Sequence, residues 1–250
     1  MNRTRIKRAA AAILVASLFG MQAAHADPAP ASARARTVIA PSPTSWTQPA
    51  NLGRLELQAT AYHDGAYMRD FAAVDDQVAA WLRAQAPRVH KPALVLDIDE
   101  TALSNWEEMK ANGFGFFSGG SCDHLPQGPC GFTAWQHESK AAVLTPTLEL
   151  VAIARQLGVA VFFITGRHDP AKADTAANLL NAGYHDWAGL SLEPEGSHFT
   201  SAVDFKAPVR AAIEARGYTI LASVGDQRSD LLGGHAMRGF LLPNPFYFIP

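Results

Sequence analysis

The run Ala93-Leu94-Val95-Leu96-Asp97-Ile98-Asp99-Glu100-Thr101 decides how the rest of the chain is read. Four apolar residues between Pro92 and a burst of acids have the length and composition of a strand buried on both faces. The texture returns downstream in Val159–Ile164, which runs into Thr165-Gly166-Arg167, in a run near Leu190, and in Ile220–Val224, which runs into Gly225-Asp226-Gln227-Arg228-Ser229-Asp230. Gly239–Leu242 closes the series. Between these runs the spacing predicts helices around Pro146–Leu157, from about Pro170 to Asn181, and around Ala207–Arg216. Such alternation predicts an α/β fold, a doubly wound, Rossmann-like parallel sheet with helices on both faces.

Outward from this frame, Leu52 to Ala86 repeats apolar residues such as Ala59, Tyr62, Phe71, Val78 and Leu82 at three- to five-residue spacings, as one or two amphipathic helices ending before Pro87 would. Residues 27–50 are rich in Pro, Ala, Ser and Thr and read as a flexible leader. Ahead of them Arg3, Arg5, Lys7 and Arg8 precede the apolar run Ala9–Gly20, and Ala24-His25-Ala26 offers a small-residue cleavage site. Residues 1–26 therefore read as a Sec-type signal peptide, with no paired arginines and no cysteine near the cleavage point for lipid attachment. The expected location is periplasmic or secreted, with no membrane anchor after cleavage. Removal of the signal takes four basic and no acidic groups, moving the formal charge from −2 to −6. A negative chain argues against a nucleic acid polymer as partner. Residues 51–250 are then one domain, interrupted after the first strand by an insertion at about 104–145 that reads as a small cap. The insertion holds the only cysteines, Cys122 and Cys130, and an exported protein meets conditions in which they pair.

Ligands of a doubly wound sheet bind beyond the carboxyl ends of its strands, so the polar residues following each apolar run form the candidate site. They are Asp97, Asp99, Glu100 and Thr101 after the first strand, Thr165, Gly166 and Arg167 after the second, and Asp226 and Asp230 after Val224. Lys206 opens the helix before that last strand. A D-x-D-x-T string alone is a weak signal; its position behind a strand, followed in order by a strand-end Thr, a Lys and G-D-x-x-x-D, is a specific one. With the wording DIDET, FFITGR, GDQRSDLLG and LPNPFYFIP, the chain resembles the haloacid-dehalogenase (HAD) superfamily acid phosphatases, bacterial class C and plant vegetative-storage type, subfamily IIIB.

The resemblance implies a phosphomonoesterase acting on small-molecule esters, with nucleotides and aryl phosphates the expected substrates. Asp97 is then the nucleophile and Asp99 the acid and base. One Mg²⁺ per active site is expected on Asp97, Asp226 and Asp230, with the main-chain carbonyl of Asp99 as a further ligand. Thr165, Gly166 and Lys206 are expected on the phosphate. The physical logic is independent: a carboxylate that attacks an anionic ester needs positive charge between and behind the reactants, and a hard cation with oxygen ligands plus a fixed lysine supplies it. Trp106 and Tyr247 are the residues expected to stack a base or aromatic leaving group.

Other readings remain beside this one. A catalytically silent storage or binding protein on the same scaffold leaves Asp97 without a purpose. Arg167-His168-Asp169-Pro170 only faintly resembles the histidine acid phosphatase signature, lacking its glycine and second arginine. Arg167 stands open between phosphate support and ion-pair partner, and a homodimer is left open.

Overall fold

The structure, a computed structural model, describes residues 49–249. The signal peptide and all but the last residues of the leader lie outside them. The centre is a five-stranded parallel sheet. Its strands are β1 (Pro92–Leu96), β4 (Ala160–His168), β5 (Gly189–Glu193), β6 (Thr219–Gly225) and β7 (Gly239–Leu241), in the spatial order β5-β4-β1-β6-β7. The two remaining strands, β2 (Leu103–Ser104) and β3 (Ala142–Val143), form a separate antiparallel pair.

The sheet is buried on both sides, and alternation along each strand divides its residues between two cores. Leu94 and Leu96 of β1 and Val161 and Phe163 of β4 face the larger core. Ala93 and Val95, with Phe162 and Ile164, face the smaller one, closed by Phe205 and Ile213. Helices α2 (Met68–Gln85), α5 (Thr145–Gln156) and α6 (Lys172–Asn181) contribute to the first, and α7 (Val203–Ala215) covers the second. This is the doubly wound arrangement expected from the continuous apolar runs, since a strand with no wet face needs no polar alternation.

Two boundaries differ from the periodicity. The first helical region is continuous: α1 (Leu52–Tyr62) passes through a π-helical turn, His63–Tyr67, into α2. No residue of α1 is fully buried and Leu52, Leu55 and Leu57 are exposed; only its last turns, through Ala59 and Tyr62, pack on the core that Tyr67 and Phe71 enter fully. Helix α7 starts earlier than predicted. The Ser201 hydroxyl accepts from the Val203 amide at 3.3 Å and Asp204 accepts from the Ser201 amide at 3.2 Å, an N-terminal lock that places Lys206 within the helix rather than at its opening.

Helix α2 is tied to the sheet by Trp81, whose indole N–H donates to the Leu221 carbonyl at 2.9 Å, and to the loop after β1 through Asp75 and Thr147. The Thr147 hydroxyl lies 3.0 Å from Asp75 Oδ2 and 2.7 Å from the Thr101 carbonyl. A carbonyl only accepts, so the one hydroxyl hydrogen goes to Thr101, and the contact with Asp75 is a hydrogen bond only when Asp75 is protonated and donates. Burial lifts that carboxyl to about 7, and its Oδ1 has no partner.

A carboxyl whose folded-state affinity for protons exceeds its unfolded one adds stability at low pH that is lost as pH rises, here between about 4 and about 7. Asp75→Asn keeps a donor toward Thr147 and has no charge to bury. The melting temperature of this variant is expected to match the wild type near pH 4 and exceed it above pH 7, by about 2–4 °C for each kcal/mol of ionisation cost removed. Parallel melting curves across that range would sink the protonated-Asp75 reading.

Candidate active site

Asp97 follows β1 directly, and its amide donates to the Val224 carbonyl of β6 at 3.0 Å. Because Leu96 and Val224 are in register, the polypeptides leaving the two neighbouring strands begin side by side, bringing Asp97 next to Asp226. One carboxylate oxygen from each of Asp97, Asp226 and Asp230 lies within 4.8 Å of the others, and all three side chains are buried. Lys206 reaches into this group from α7, its ammonium 2.6 Å from Asp97 Oδ1 and 2.5 Å from Asp230 Oδ1. One turn further along α7, Arg210 donates to the main-chain carbonyls of Asp230 and Gly234 at 2.8 and 3.0 Å, fixing the loop that carries Asp230.

One cation among three carboxylates leaves negative charge uncompensated. Burial first, then Asp230, Asp226 and Asp99, pushes the Asp97 carboxyl well above the usual aspartate range, and Lys206 only partly opposes this. Asp226 is raised to about 6 by burial and Asp230, despite hydrogen bonds from Gln227 and Asn244 at 2.7 and 2.6 Å. Burial acts to lower Lys206, but Asp230 and Asp97 outweigh it and hold the ammonium charged. Such a set, all oxygen and short of positive charge, fits a hard divalent cation. Asp230 is the least available ligand, since Oδ1 faces Lys206 and Oδ2 accepts the Gln227 amide at 2.8 Å. Asp97 and Asp226 are the better-placed pair.

Asp99 turns its carboxylate away from that group. It accepts from Arg167 Nη2 at 2.7 Å, Arg167 Nε at 3.1 Å and Asn105 Nδ2 at 2.8 Å, while its own carbonyl accepts from the Tyr247 hydroxyl at 3.4 Å. Burial works to raise its proton affinity, but the Arg167 guanidinium and these hydrogen bonds override it and hold the carboxyl below the usual value. Thr165 is fully buried, its hydroxyl 3.4 Å from Asp99 Oδ2 and accepting from the Arg167 amide at 3.1 Å. Gly166 borders the cavity. The loop between these residues is sharply bent: Glu100 has φ +50°, is wholly buried, and accepts from the Asn105 amide.

A cavity of about 420 Å³ opens over Asp97, Asp99, Arg167 and Lys206. Its far walls are Met109, Phe114, Phe116 and Phe132 from the segment between β2 and β3, with Phe246 and Tyr247 from the residues after β7. That segment carries α3 (Trp106–Ala111) and α4 (Phe132–Glu138), and Cys122 and Cys130 are joined in a disulfide. Tyr247, one of the two residues expected to stack a leaving group, borders the cavity. Trp106 does not. His63, from the π-helical turn, stacks on it at 3.6 Å with the ring planes 2° apart, and Phe114 and Phe246 pack around it, so the indole has no face for a ligand. Periodicity gives no warning of this contact.

Four residues outside the motif roles prove central. Arg167 and Asn105 set the direction of Asp99, and Asn244 and Gln227 hold Asp226. Arg167 was an even choice between two roles, and the geometry assigns it to the ion pair. Asn244 sits in the LPNPF stretch, whose wording helped the family resemblance without indicating a purpose.

The chain belongs to the family described as HAD superfamily, subfamily IIIB (acid phosphatase), which it matches over residues 32–250. It is a phosphomonoesterase by that membership. Among its relatives, the stem 28 kDa glycoprotein of Glycine max is 36% identical over 191 residues, 75% of this chain and 71% of the relative. Acid phosphatase 1 of Solanum lycopersicum is 31% identical over 197 residues, 78% and 69% of the two chains. The class C acid phosphatase from Bacillus anthracis superposes with a TM-score of 0.60 over 79% of this chain and 86% of its own, at 19% identity, a likeness of fold.

Gly225 tests the arrangement of the acids. A Cβ there would lie 2.2 Å from Asp230 Oδ2, so any side chain displaces the carboxylate that faces Lys206. Gly225→Ala is expected to fold, by circular dichroism, and to lose at least about tenfold in hydrolysis of a phosphate ester, because misplacing a charged group by an ångström costs on that order or more. Wild-type rates in a folded variant would show that the position of Asp230 does not matter.

Proposed function

We propose that this chain is an exported acid phosphatase that hydrolyses phosphate monoesters, nucleotides and aryl phosphates among them, through an aspartyl-phosphate on Asp97 with Mg²⁺ as cofactor. The observation that carries the reading is the placement of Lys206 against Asp97 beneath a cavity whose far walls are apolar. A nucleophilic carboxylate, a fixed cation and room for an uncharged leaving group meet there.

In this mechanism an Asp97 oxygen attacks phosphorus while the bond from phosphorus to the ester oxygen breaks, and Asp99 gives its proton to the departing alkoxide or phenoxide. Water then attacks the acyl phosphate, Asp99 takes its proton, and phosphate leaves with Asp97 restored. The Asp97 and Asp226 carboxylates and the Asp99 carbonyl would hold Mg²⁺, which would supply positive charge to offset the repulsion between the nucleophile and the anionic ester. Lys206 neutralises the phosphoryl oxygens and the main chain at Gly166, which borders the cavity, donates to them, while the Thr165 hydroxyl, buried and 3.4 Å from Asp99 Oδ2, would have to turn from that contact to join them. Asp230 fixes Lys206. The ion pair with Arg167 keeps Asp99 ionised at rest, which suits its role as base; a phosphate dianion brought against Asp99 raises its proton affinity, so that it takes up from solvent the proton it gives in the acid step.

The segment 104–145 acts as the cap, contributing the walls that exclude water from the leaving-group end. Export is supported by the basic, apolar and small-residue sequence of residues 1–26 and by the Cys122–Cys130 disulfide, which belongs in an oxidising compartment. No described helix is long and apolar enough to cross a membrane.

The expected result with phenyl phosphate is turnover that EDTA abolishes and Mg²⁺ restores, and a fall of at least about 10³-fold in Asp97→Asn, since removal of a nucleophile leaves only binding and electrostatics. A folded Asp97→Asn protein with near wild-type turnover would exclude Asp97 as nucleophile. Turnover indifferent to EDTA would exclude the metal.

A further inference from the structure

The cavity is lined by Asp97, Asp99, Arg167 and Lys206, by the uncharged polar residues Asn105, Gln227 and Ser229, and by apolar side chains, and it has one further carboxyl, Glu108. This residue is in the first turn of α3, is only 3% exposed, and still borders the cavity. Its orientation is fixed from behind. Asn112 Oδ1 accepts the Cys130 amide at 2.8 Å, while Asn112 Nδ2 donates to the Cys130 carbonyl at 2.9 Å and to Glu108 Oε1 at 2.6 Å. Holding both the N–H and the C=O of one residue, the Asn112 amide has a single orientation, so Oε1 of Glu108 is committed as an acceptor. Among the described residues no group hydrogen-bonds Oε2, and it is not one of the fully enclosed unpartnered atoms. A protein rarely keeps a carboxyl in an apolar wall without giving its free oxygen a partner.

We infer that Glu108 is a specificity-determining residue, whose Oε2 donates a hydrogen bond to an acceptor on a flat leaving group, so that the cavity favours aryl or heteroaryl phosphates bearing a carbonyl-type oxygen. The inference rests on the phosphatase reading and adds to it. Donation follows from proton placement. Burial, with a further push from Asp99, lifts the Glu108 carboxyl to about 7, against the Asn112 hydrogen bond. In acid the group is neutral, and with Oε1 accepting from Asn112 its hydrogen sits on Oε2, the oxygen without a partner among the described residues. A leaving group lacking an acceptor would leave that O–H unsatisfied in an apolar wall. The Met109, Phe114, Phe116, Phe132 and Phe246 side chains supply the flat, non-polar contact around it.

The test compares kcat/KM for 3- and 4-acetylphenyl phosphate with that for phenyl phosphate at pH 5, in wild type, Glu108→Gln and Glu108→Leu. Taking the acetyl-to-phenyl ratio within each enzyme cancels changes common to both substrates, and comparing ratios between enzymes cancels the intrinsic reactivity of the esters. The ratio for the better acetyl isomer is expected to fall about tenfold in Glu108→Leu, the scale of one lost buried hydrogen bond. Gln keeps an acceptor for Asn112 and presents an N–H to the cavity, so Glu108→Gln should hold the ratio within about threefold of wild type.

A second measurement avoids reliance on the leucine variant. In wild type the same ratio should drop as pH rises from 5 to 8 and Glu108 loses its proton, while in Glu108→Gln it should stay level. The other titratable groups bordering the cavity, Asp97, Asp99, Arg167, Lys206 and Tyr247, are present in both enzymes. Ratios for both isomers that ignore residue 108 and pH, with phenyl phosphate still turned over, would overturn the Glu108 assignment alone. A wild type that turns over none of the three esters would overturn the phosphatase reading and this assignment with it.

Discussion

Three buried carboxylates around a single ammonium is the constraint on which the rest of the structure depends. Left to themselves, Asp97, Asp226 and Asp230 would repel one another in a medium that screens poorly. The architecture holds them anyway, because each is delivered by an element with its own reasons to be where it is. The register of β1 against β6 fixes the first two, and Arg210 anchors the loop of the third. Lys206 binds the group from the opposite side, through a helix whose start is locked by Ser201 and Asp204. The cost of crowding is a site that holds charge ready for a cation and an anionic ester.

A second consequence of the sheet is a division of labour between its two ends. Everything charged gathers past the carboxyl ends of β1, β4 and β6, while selectivity is assigned to chain that is not part of the sheet. The segment between β2 and β3 is short of regular structure, yet it is not loose. Asn112 clasps the Cys130 peptide, the Trp135 indole donates to Asn105 Oδ1 at 2.8 Å, and Asn105 in turn meets Asp99. Trp135 of this segment and Asp99 at the end of β1 are thus joined through Asn105 by side-chain hydrogen bonds.

What could be read in the sequence follows from the same physics. Asp97, Asp226 and Thr165 were legible because each sits directly after an apolar run, and the fold obliges strand ends to meet. The doubly wound sheet was legible for the same reason. Arg167, Asn105, Gln227 and Asn244 are polar groups that answer to partners distant in sequence, and no local periodicity marks such a pairing. The misreading of Trp106 is instructive. An aromatic residue near the site qualifies as a stacking platform only if a face is free, and whether one is free depends on His63, in a π-helical turn that hydrophobic spacing does not reveal. The exposed first helix had the same cause: three- to five-residue spacing shows that a face is apolar, not that anything covers it.

The residues after β7 bear on the site as well. Asn244 bonds Asp226, the Tyr247 hydroxyl reaches the Asp99 carbonyl, and the Ile249 amide donates to Gln227. Asp97 and Asp99 find Lys206, Arg167 and Asn105 in chain that precedes β7, whereas Asp226 and the Asp99 carbonyl also draw partners from the last residues of the fold. The strand-end carboxylates are therefore completed by chain from outside the sheet, and loss of the residues after β7 would leave Asp226 with one side-chain amide fewer.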